Sequence, residues 1–443
     1  IYNNERRNNM KKYYCLGIKG TGMSTLAQIL FDLGNEVSGY DDAKEYKFTQ
    51  KGLEDRNIKI YYDNNHQIDK DTIVTYSVAL SEDHKELQRV KEMGLTIKRY
   101  NEIVGEITNM FNTISVSGTH GKTTTSSIIK HILNNTIGCN YFIGAGDGKA
   151  SKENEIFVIE SDEFNKHFLT YHPTCSVITN IEKEHMECYT DLDDIINTFS
   201  SFADHTKEKI VACGDNINIR NLKTKTPIIY YGFNDNNDYI IKNEKVTPSG
   251  ETFDLYKNDD LIGNFSVPLF GKHMVLDTTA AIIICMMYKI EIDKIKQLLL
   301  NFKNAKRRFA EEKINNTIII DDYAHHPTEI KATLEAARSK YPDKRLVVIF
   351  KPNTYSRTRD FKNEFISSLK LADKVYLTEI DCNREKQEDY PGITSHIITD
   401  NIENAEIISE DTIDKLKDEK NSVICFVSCA YVDHLIDNLK KII

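Results

Sequence analysis

Short β-branched runs alternate along the chain with longer stretches of helical period, the pattern of α/β domains built on parallel sheets. Tyr13–Ile18 predicts a strand that opens into the turn Gly17-Ile-Lys-Gly20-Thr-Gly22. A helix is expected from Met23 to Leu33, stopped by Gly34. Glu36–Tyr40 then closes a βαβ unit with Asp41 and Asp42 at its tip. The units Thr72–Tyr76, Glu82–Gly94 and Thr96–Lys98 carry this region to Met110.

A second region opens with a strand at Thr113–Ser117, which runs into Gly118-Thr-His-Gly-Lys-Thr-Thr-Thr and a helix to Leu133. Further strands are expected at Ile156–Glu160, Cys175–Thr179, Ile210–Ala212 and Ile228–Tyr231. Tyr239–Val267 alternates turn signals with strand-like runs and predicts antiparallel pairing, followed by helices at Gly271–Tyr288 and Ile292–Phe302. After the basic stretch Lys303–Phe309, a third region carries strands at Thr317–Asp321, Leu346–Phe350, Lys374–Thr378 and Val423–Val427. The resulting domains are 11–111, 112–311 and 312–443. Three domains also suit a chain of 443 residues.

Composition narrows the function classes. A net charge of −10 argues against a nucleic-acid coat or a basic membrane binder, so a polyanionic ligand must be met locally. Nine scattered cysteines without a C-x-x-C pair fit a reducing, cytoplasmic setting. No apolar run reaches the ~18 residues of a bilayer span. Ile1–Met10 is polar and lacks the apolar core of a signal peptide, and these residues are left out of the fold reading.

The strongest local signal is Gly118-Thr-His-Gly121-Lys122-Thr123-Thr124 between strand and helix. Backbone N–H groups of such a loop and the helix N-terminus wrap a triphosphate, with Lys122 at the β- and γ-phosphates and the Thr123 hydroxyl on Mg²⁺. The strict G-x-x-x-x-G-K-[ST] pattern fails, because Val116 stands at the first glycine position. Glu160, with Asp162 and Glu163 after it, ends one strand, and His185 follows another. Loops after strands converge at the carboxyl edge of an open sheet, where a carboxylate and an imidazole suit divalent ions. Gly17-x-x-Gly20-x-Gly22 has the wrong spacing for a dinucleotide fingerprint. It still implies close approach to a phosphate, with Asp41 placed about 20 residues on for a ribose hydroxyl; a tight turn with no ligand is the competing reading. Asp321-Asp-Tyr-Ala-His325-His326-Pro327 and Lys351-Pro-Asn-Thr-Tyr-Ser-Arg357-Thr-Arg359 follow strands of the third region, the latter bringing guanidinium groups suited to carboxylates or phosphates.

Six motifs in order resemble the Mur ligase family over nearly the whole chain. They are Gly17-Ile-Lys-Gly-Thr-Gly-Met-Ser, Gly118-Thr-His-Gly-Lys-Thr-Thr, Thr179-Asn-Ile-Glu-Lys-Glu-His, Gly271-Lys-His, Lys306-Arg-Arg-Phe309 and Asp321-Asp-Tyr-Ala-His-His-Pro-Thr-Glu-Ile. The resemblance implies a Rossmann-like N-terminal domain, a central P-loop-type ATPase domain and a Rossmann-like C-terminal domain. It also implies an ATP- and Mg²⁺-dependent amide ligase of peptidoglycan precursor synthesis. Its partners would be UDP-N-acetylmuramate and L-alanine, with no nucleic acid and no membrane.

By the same resemblance, Gly20, Thr21, Gly22, Met23, Asp41 and Ser77 face the UDP sugar. Gly118, Thr119, His120, Gly121, Lys122, Thr123 and Thr124 hold ATP, with Asn180, His273 and Arg308 lining the nucleotide. Thr123, Glu160 and His185 are the implied magnesium ligands, and His325 and Arg357 position the amino acid. Lys122, His185, His325 and Arg357 carry the chemistry in that scheme.

The sequence departs from the family pattern at Met274, Asp277, Asn353, Glu184 and the segment Val427-Ser-Cys-Ala-Tyr-Val. A ligase that reattaches a recovered tripeptide to the same sugar nucleotide is the nearest alternative. A non-catalytic nucleotide-binding relative and a nicotinamide dehydrogenase are the others.

Overall fold

The computed structural model describes residues 10–443 apart from 78, 79, 145, 383 and 384; the leading residues 1–9 therefore lie outside it. Three sheets, β1–β5, β6–β15 and β16–β21, organise the chain. By contacts it forms two compact units, one holding residues up to Lys242 with Leu255–Gly263 and Leu276–Leu299, the other the remainder.

The first sheet comprises β1 (Lys12–Leu16), β2 (Glu36–Tyr40), β3 (Lys59–Tyr61), β4 (Ile73–Tyr76) and β5 (Thr96–Arg99). They are parallel in the order β3-β2-β1-β4-β5. The order reverses beside β1, so the glycine turn after β1 opens at the switch point where ligands of such sheets bind. The helix Thr21–Asp32 follows, and Gly34 ends it at φ +79°, a left-handed position that favours glycine.

In the second sheet β6 (Asn112–Ser117) lies between β9 (Ile156–Glu160) and β10 (Cys175–Ile178), parallel to both. Beyond β10 come β11 (Lys209–Cys213) and β12 (Ile228–Gly232); beyond β9 come β7 (Asn140–Ile143) and β8 (Asp147–Lys149). This arrangement sets the loops after β9 and β10 on either side of the phosphate loop that follows β6. β13 (Tyr239–Thr247) joins β12, and two-residue loops link it to β14 (Gly250–Lys257) and β14 to β15 (Asp260–Val267). Connections that short make both pairs antiparallel, as the turn signals predicted.

The third sheet runs β16-β17-β21-β18-β19-β20. Its strands are β16 (Ala310–Ile314), β17 (Thr317–Asp322), β18 (Leu346–Phe350), β19 (Lys374–Leu377), β20 (Ala405–Ile407) and β21 (Val423–Val427). All neighbours are parallel except β16 and β17. Apolar clusters cover both faces, one around Ile320, Val348 and Phe365 and another around Ile349, Phe426 and Leu435. Burial on both sides is why these central strands are continuous apolar runs.

All nine cysteines are free thiols, and Cys15, Cys139, Cys175, Cys213, Cys285 and Cys425 are buried. Among the described residues no helix is long and apolar enough to cross a membrane.

Candidate active site

The phosphate loop is built by contacts that only glycine tolerates. Gly118 has φ +131°, and a Cβ there would stand 2.1 Å from Thr179 Oγ1. Gly121 has φ +83°, and its Cβ would stand 2.4 Å from Asp277 Oδ1. Gly121 also caps the helix Lys122–Asn134 without a side-chain hydrogen bond, which leaves the first-turn N–H groups facing outward for an anion. Thr124 is buried in that turn.

The loop after β10 fixes this conformation. Thr119 N–H donates to Asn180 O at 3.0 Å and His120 N–H to Asn180 Oδ1 at 2.8 Å. Asn180 Nδ2 donates back to His120 O at 3.2 Å, and Glu182 N–H to Thr119 Oγ1 at 2.9 Å. Asn180, expected to line the nucleotide, thus clamps the loop that would hold it.

Lys122 Nζ donates to Gly118 O at 2.7 Å and Thr119 O at 3.2 Å, and pairs with Glu163 Oε2 at 2.9 Å. Burial opposes its charge, but the Glu163, Asp162 and Glu160 carboxylates outweigh burial and hold its pKa above the ordinary lysine value. Thr123 Oγ1 lies 3.0 Å from both oxygens of Glu160, and Gly144 N–H donates to Glu160 Oε2 at 2.8 Å. Two cis ligands of an octahedral Mg²⁺ at 2.0–2.1 Å stand about 3 Å apart, so this hard-oxygen pair fits that ion.

His185 adopts φ +55° and meets the ring of Phe164 edge-on at 5.1 Å. Its Nε2 lies 3.9 Å from Glu163 Oε1 and its Nδ1 3.7 Å from Glu187 Oε1. Burial works against its protonation, yet Glu187, Glu163, Glu184 and Asp162 together raise its pKa. Donor atoms of Asp162, Glu163 and His185 gather within 4.8 Å of one another. The sequence alone assigns Glu163 no role, and its place three residues after Glu160, at a strand end, is the local signal for one.

At the first sheet, Gly20 caps the helix Thr21–Asp32 without a side-chain bond, again leaving first-turn N–H groups for an anion. A Cβ on Gly22 would stand 3.0 Å from Tyr100 Oη, tighter than ordinary van der Waals contact. Met23, expected at the sugar, turns its side chain into the core and leaves only its backbone for a ligand. Asp41 is buried and holds the turn together, its Oδ2 accepting Lys19 N–H at 2.8 Å and its Oδ1 accepting Ala43 N–H at 3.0 Å. Ser77 follows β4, its carbonyl accepting Leu80 N–H at 3.0 Å. The neighbouring His84 Nε2, Asp42 and Tyr40 Oη form a chain that sequence reasoning missed, at 2.9 and 2.8 Å.

In the second unit His273 sits in the first turn of the helix Lys272–Met287, tight against Gly271. Gly271 N–H donates to the buried Glu251 at 2.8 Å. Arg308 lies 4.0 Å from Glu329 Oε1 and over the Tyr323 ring at 5.1 Å. Of the paired histidines, His326 is buried and caps the helix Pro327–Lys340, accepting Thr328 N–H at 3.4 Å. His325 is half-buried, with Nδ1 3.0 Å from Tyr323 O and 3.2 Å from Glu329 Oε2. Arg357 donates to Asn353 Oδ1 at 2.8 Å, so the departure at Asn353 gives the guanidinium an acceptor. β21 separates β17 from β18, and Cys429 in the loop after it feels both Arg357 and Glu329. Asp322, which accepts Phe309 N–H and Ala324 N–H at 2.8 Å each, has its pKa pushed up to about 6 by burial, against the pull of Arg308.

A strand–glycine loop–helix carrying lysine, with an oxygen pair spaced for Mg²⁺, is a nucleotide-triphosphate site in character. The chain belongs to the Mur ligase family: residues 12–112 match its catalytic domain, 116–285 its middle domain and 307–426 its glutamate ligase domain. It is 44% identical over 373 residues to the UDP-N-acetylmuramate–L-alanine ligase of Ligilactobacillus salivarius, covering 84% of each chain. The enzyme of the same name from Lactiplantibacillus plantarum is 42% identical over 417 residues, 94% of this chain and 95% of that one. Among solved structures, UDP-N-acetylmuramate–alanine ligase MurC of Thermotoga maritima shares the fold with a TM-score of 0.77 at 23% identity, over 97% of this chain and 98% of that one. A murein peptide ligase of Psychrobacter arcticus follows with a TM-score of 0.67 at 21% identity, over 98% and 99%.

Proposed function

We propose that this chain joins L-alanine to UDP-N-acetylmuramate at the expense of ATP, in peptidoglycan precursor synthesis in the cytoplasm. The observation that carries the reading is the constellation of Lys122, Thr123, Glu160 and Glu163 around the phosphate loop. Residues 11–111 take the UDP sugar, 112–311 take ATP and 312–443 take the amino acid.

The lactyl carboxylate of the sugar attacks the γ-phosphate in line, giving an acyl phosphate and ADP. Both partners are anionic, so Lys122, held charged beside three carboxylates, has to offset their repulsion at the transferring phosphoryl group. Thr123, Glu160 and His185 would hold Mg²⁺, which neutralises phosphate charge when bound. The alanine amine then attacks the acyl phosphate and phosphate leaves. Arg357 suits the alanine carboxylate, which calls for a fixed fork of donors. With its Nδ1 turned to Tyr323 O and Glu329, His325 presents Nε2 to the amine.

Amino-acid choice and catalysis are tested together by phosphate release at saturating ATP and UDP-N-acetylmuramate. L-Alanine should give the highest kcat/KM, with glycine and L-serine slower but measurable, since one methylene discriminates by only ~1–3 kcal/mol. A higher kcat/KM for the L-Ala-γ-D-Glu-diamino-acid tripeptide would assign the chain to tripeptide recycling. No phosphate release with any of them would leave a nucleotide-binding protein without this activity.

A further inference from the structure

The loop 43–49, between β2 and the helix Gln50–Glu54, carries two large side chains in solvent, Tyr46 at 62% exposure and Phe48 at 71%. A single exposed aromatic is ordinary. This loop differs in how firmly it is held beneath them. Lys19 is 1% exposed and sends its ammonium under the loop, donating to Ala43 O at 2.7 Å and Glu45 O at 2.6 Å. Thr49 Oγ1 donates to Lys19 O at 2.6 Å, and Asp41 accepts Ala43 N–H. The helix beyond is fastened by Arg56, which pairs with Asp32 at 2.7 Å and donates to Gln28 Oε1 and Gly52 O at 2.8 and 3.1 Å. Both ends of the loop are therefore fixed, and its aromatic tip is presented on a rigid base.

The position of the ring is specific. A Cβ placed on Gly146 would stand 3.7 Å from Phe48 Cε2 and 4.0 Å from Thr21 Cγ2. Phe48 and Thr21, the first residue of the helix Thr21–Asp32, thus both flank Gly146, two residues after Gly144, whose N–H donates to Glu160. One of these neighbours is read as the diphosphate site, the other as the magnesium carboxylate. The part of the substrate that must lie between a diphosphate and the γ-phosphate of ATP is the hexose bearing the attacking carboxylate.

We propose that Phe48 is a sugar-binding residue, packing the face of its ring against the C–H-lined face of the N-acetylmuramate ring and so aiming the lactyl carboxylate. An aromatic face carries partial negative charge and suits C–H groups with partial positive charge. The assignment rests on the function proposed above, specifically on the first glycine turn being the nucleotide-sugar site.

Calorimetric titration of the full chain with UDP and with UDP-N-acetylmuramate separates the possibilities. Phe48→Ala should raise Kd for UDP-N-acetylmuramate about tenfold while leaving Kd for UDP within about twofold. Phe48→Tyr should restore the wild-type difference between the two ligands. The ring is mostly in solvent, so the alanine variant should keep the wild-type Tm, which a thermal melt checks. Equal weakening of UDP and UDP-N-acetylmuramate would place the ring on the base or diphosphate and overturn the assignment, as would unchanged binding of both. Wild-type protein that binds neither ligand would overturn the reading of the glycine turn itself, an outcome distinct from a failure at Phe48.

Discussion

The two glycine turns of the first unit share one plan and surround their lysines differently. Each follows the first strand of its sheet at the switch point, and each opens a helix whose capping glycine makes no side-chain bond. At the phosphate loop, Lys122 donates to the carbonyls of Gly118 and Thr119 and also stands among Glu160, Asp162 and Glu163. At the N-terminal turn, Lys19 is buried and spends its donors on two carbonyls of its own neighbouring loop. Transfer of a terminal phosphoryl group calls for a cation at that group and carboxylates for metal. A diphosphate that is only held needs backbone N–H groups and a rigid rim. On the function proposed above, the same strand–turn–helix would serve chemistry in one place and grip in the other, one ammonium standing among carboxylates and the other meeting carbonyls alone.

The sharpest way to break this contrast is Lys122→Ala. It should lower kcat by at least the roughly 10²–10³-fold that accompanies loss of one transition-state charge contact. Turnover near wild type in a phosphate-release assay would remove the distinction between the two lysines.

Next in size are the metal positions. Glu160→Gln and His185→Ala should each raise the Mg²⁺ concentration giving half-maximal rate, because each removes a ligand or a group that orients one. Magnesium titrations that overlay the wild-type curve would return both residues to a structural role.

Lys19→Met tests the other side. It leaves two carbonyls beneath the loop without their donor, at about 1–3 kcal/mol of stability. KM for the UDP sugar should rise while kcat at saturation stays close to wild type. A fall in kcat with unchanged KM would mean that Lys19 acts in the chemistry.

Much of this architecture was readable beforehand, for a physical reason. Strands buried on both faces are nearly unbroken apolar runs, so Ile156–Glu160, Leu346–Phe350 and Val423–Val427 fall where the pattern put them. β3, β7, β8, β16 and β20 escaped because they are short and carry polar residues, as in Ala310-Glu-Glu-Lys-Ile314. The helix Leu192–His205, rich in Asp, Asn, Thr and Ser, gave a weak helical signal despite the Asp191 side chain that caps it. Lys122, Thr123 and Glu160 were legible because glycine spacing and strand ends are local features. The inward course of Lys19, the clamp made by Asn180 and the pairing of Glu163 depend on partners 20 to 60 residues away, which no local pattern specifies.

A last expected effect concerns stability rather than turnover, and it contrasts the second unit with the Lys122 site. Asp322 is buried with its pKa pushed up to about 6 from 3.8. Between those values the folded chain keeps a proton that the unfolded chain has released, so stability falls as pH rises, by up to about 3 kcal/mol. Asp322→Asn, neutral throughout, should flatten that slope in urea titrations between pH 4 and 7. An unchanged slope would show that Asp322 ionises alike in both states.

The free thiols bear on inhibitor discovery. Cys188 is only half buried and stands three residues after His185, its Sγ donating to Asn165 Oδ1 at 3.1 Å. Burial raises its pKa, so it reacts slowly, but a screening library contains electrophiles that need little thiolate. An adduct at Cys188 would crowd the loop bearing His185 and imitate a nucleotide-competitive hit. Hits whose potency vanishes with added dithiothreitol or in Cys188→Ser protein are therefore alkylators, and compounds that keep their potency in both are the ones worth optimising.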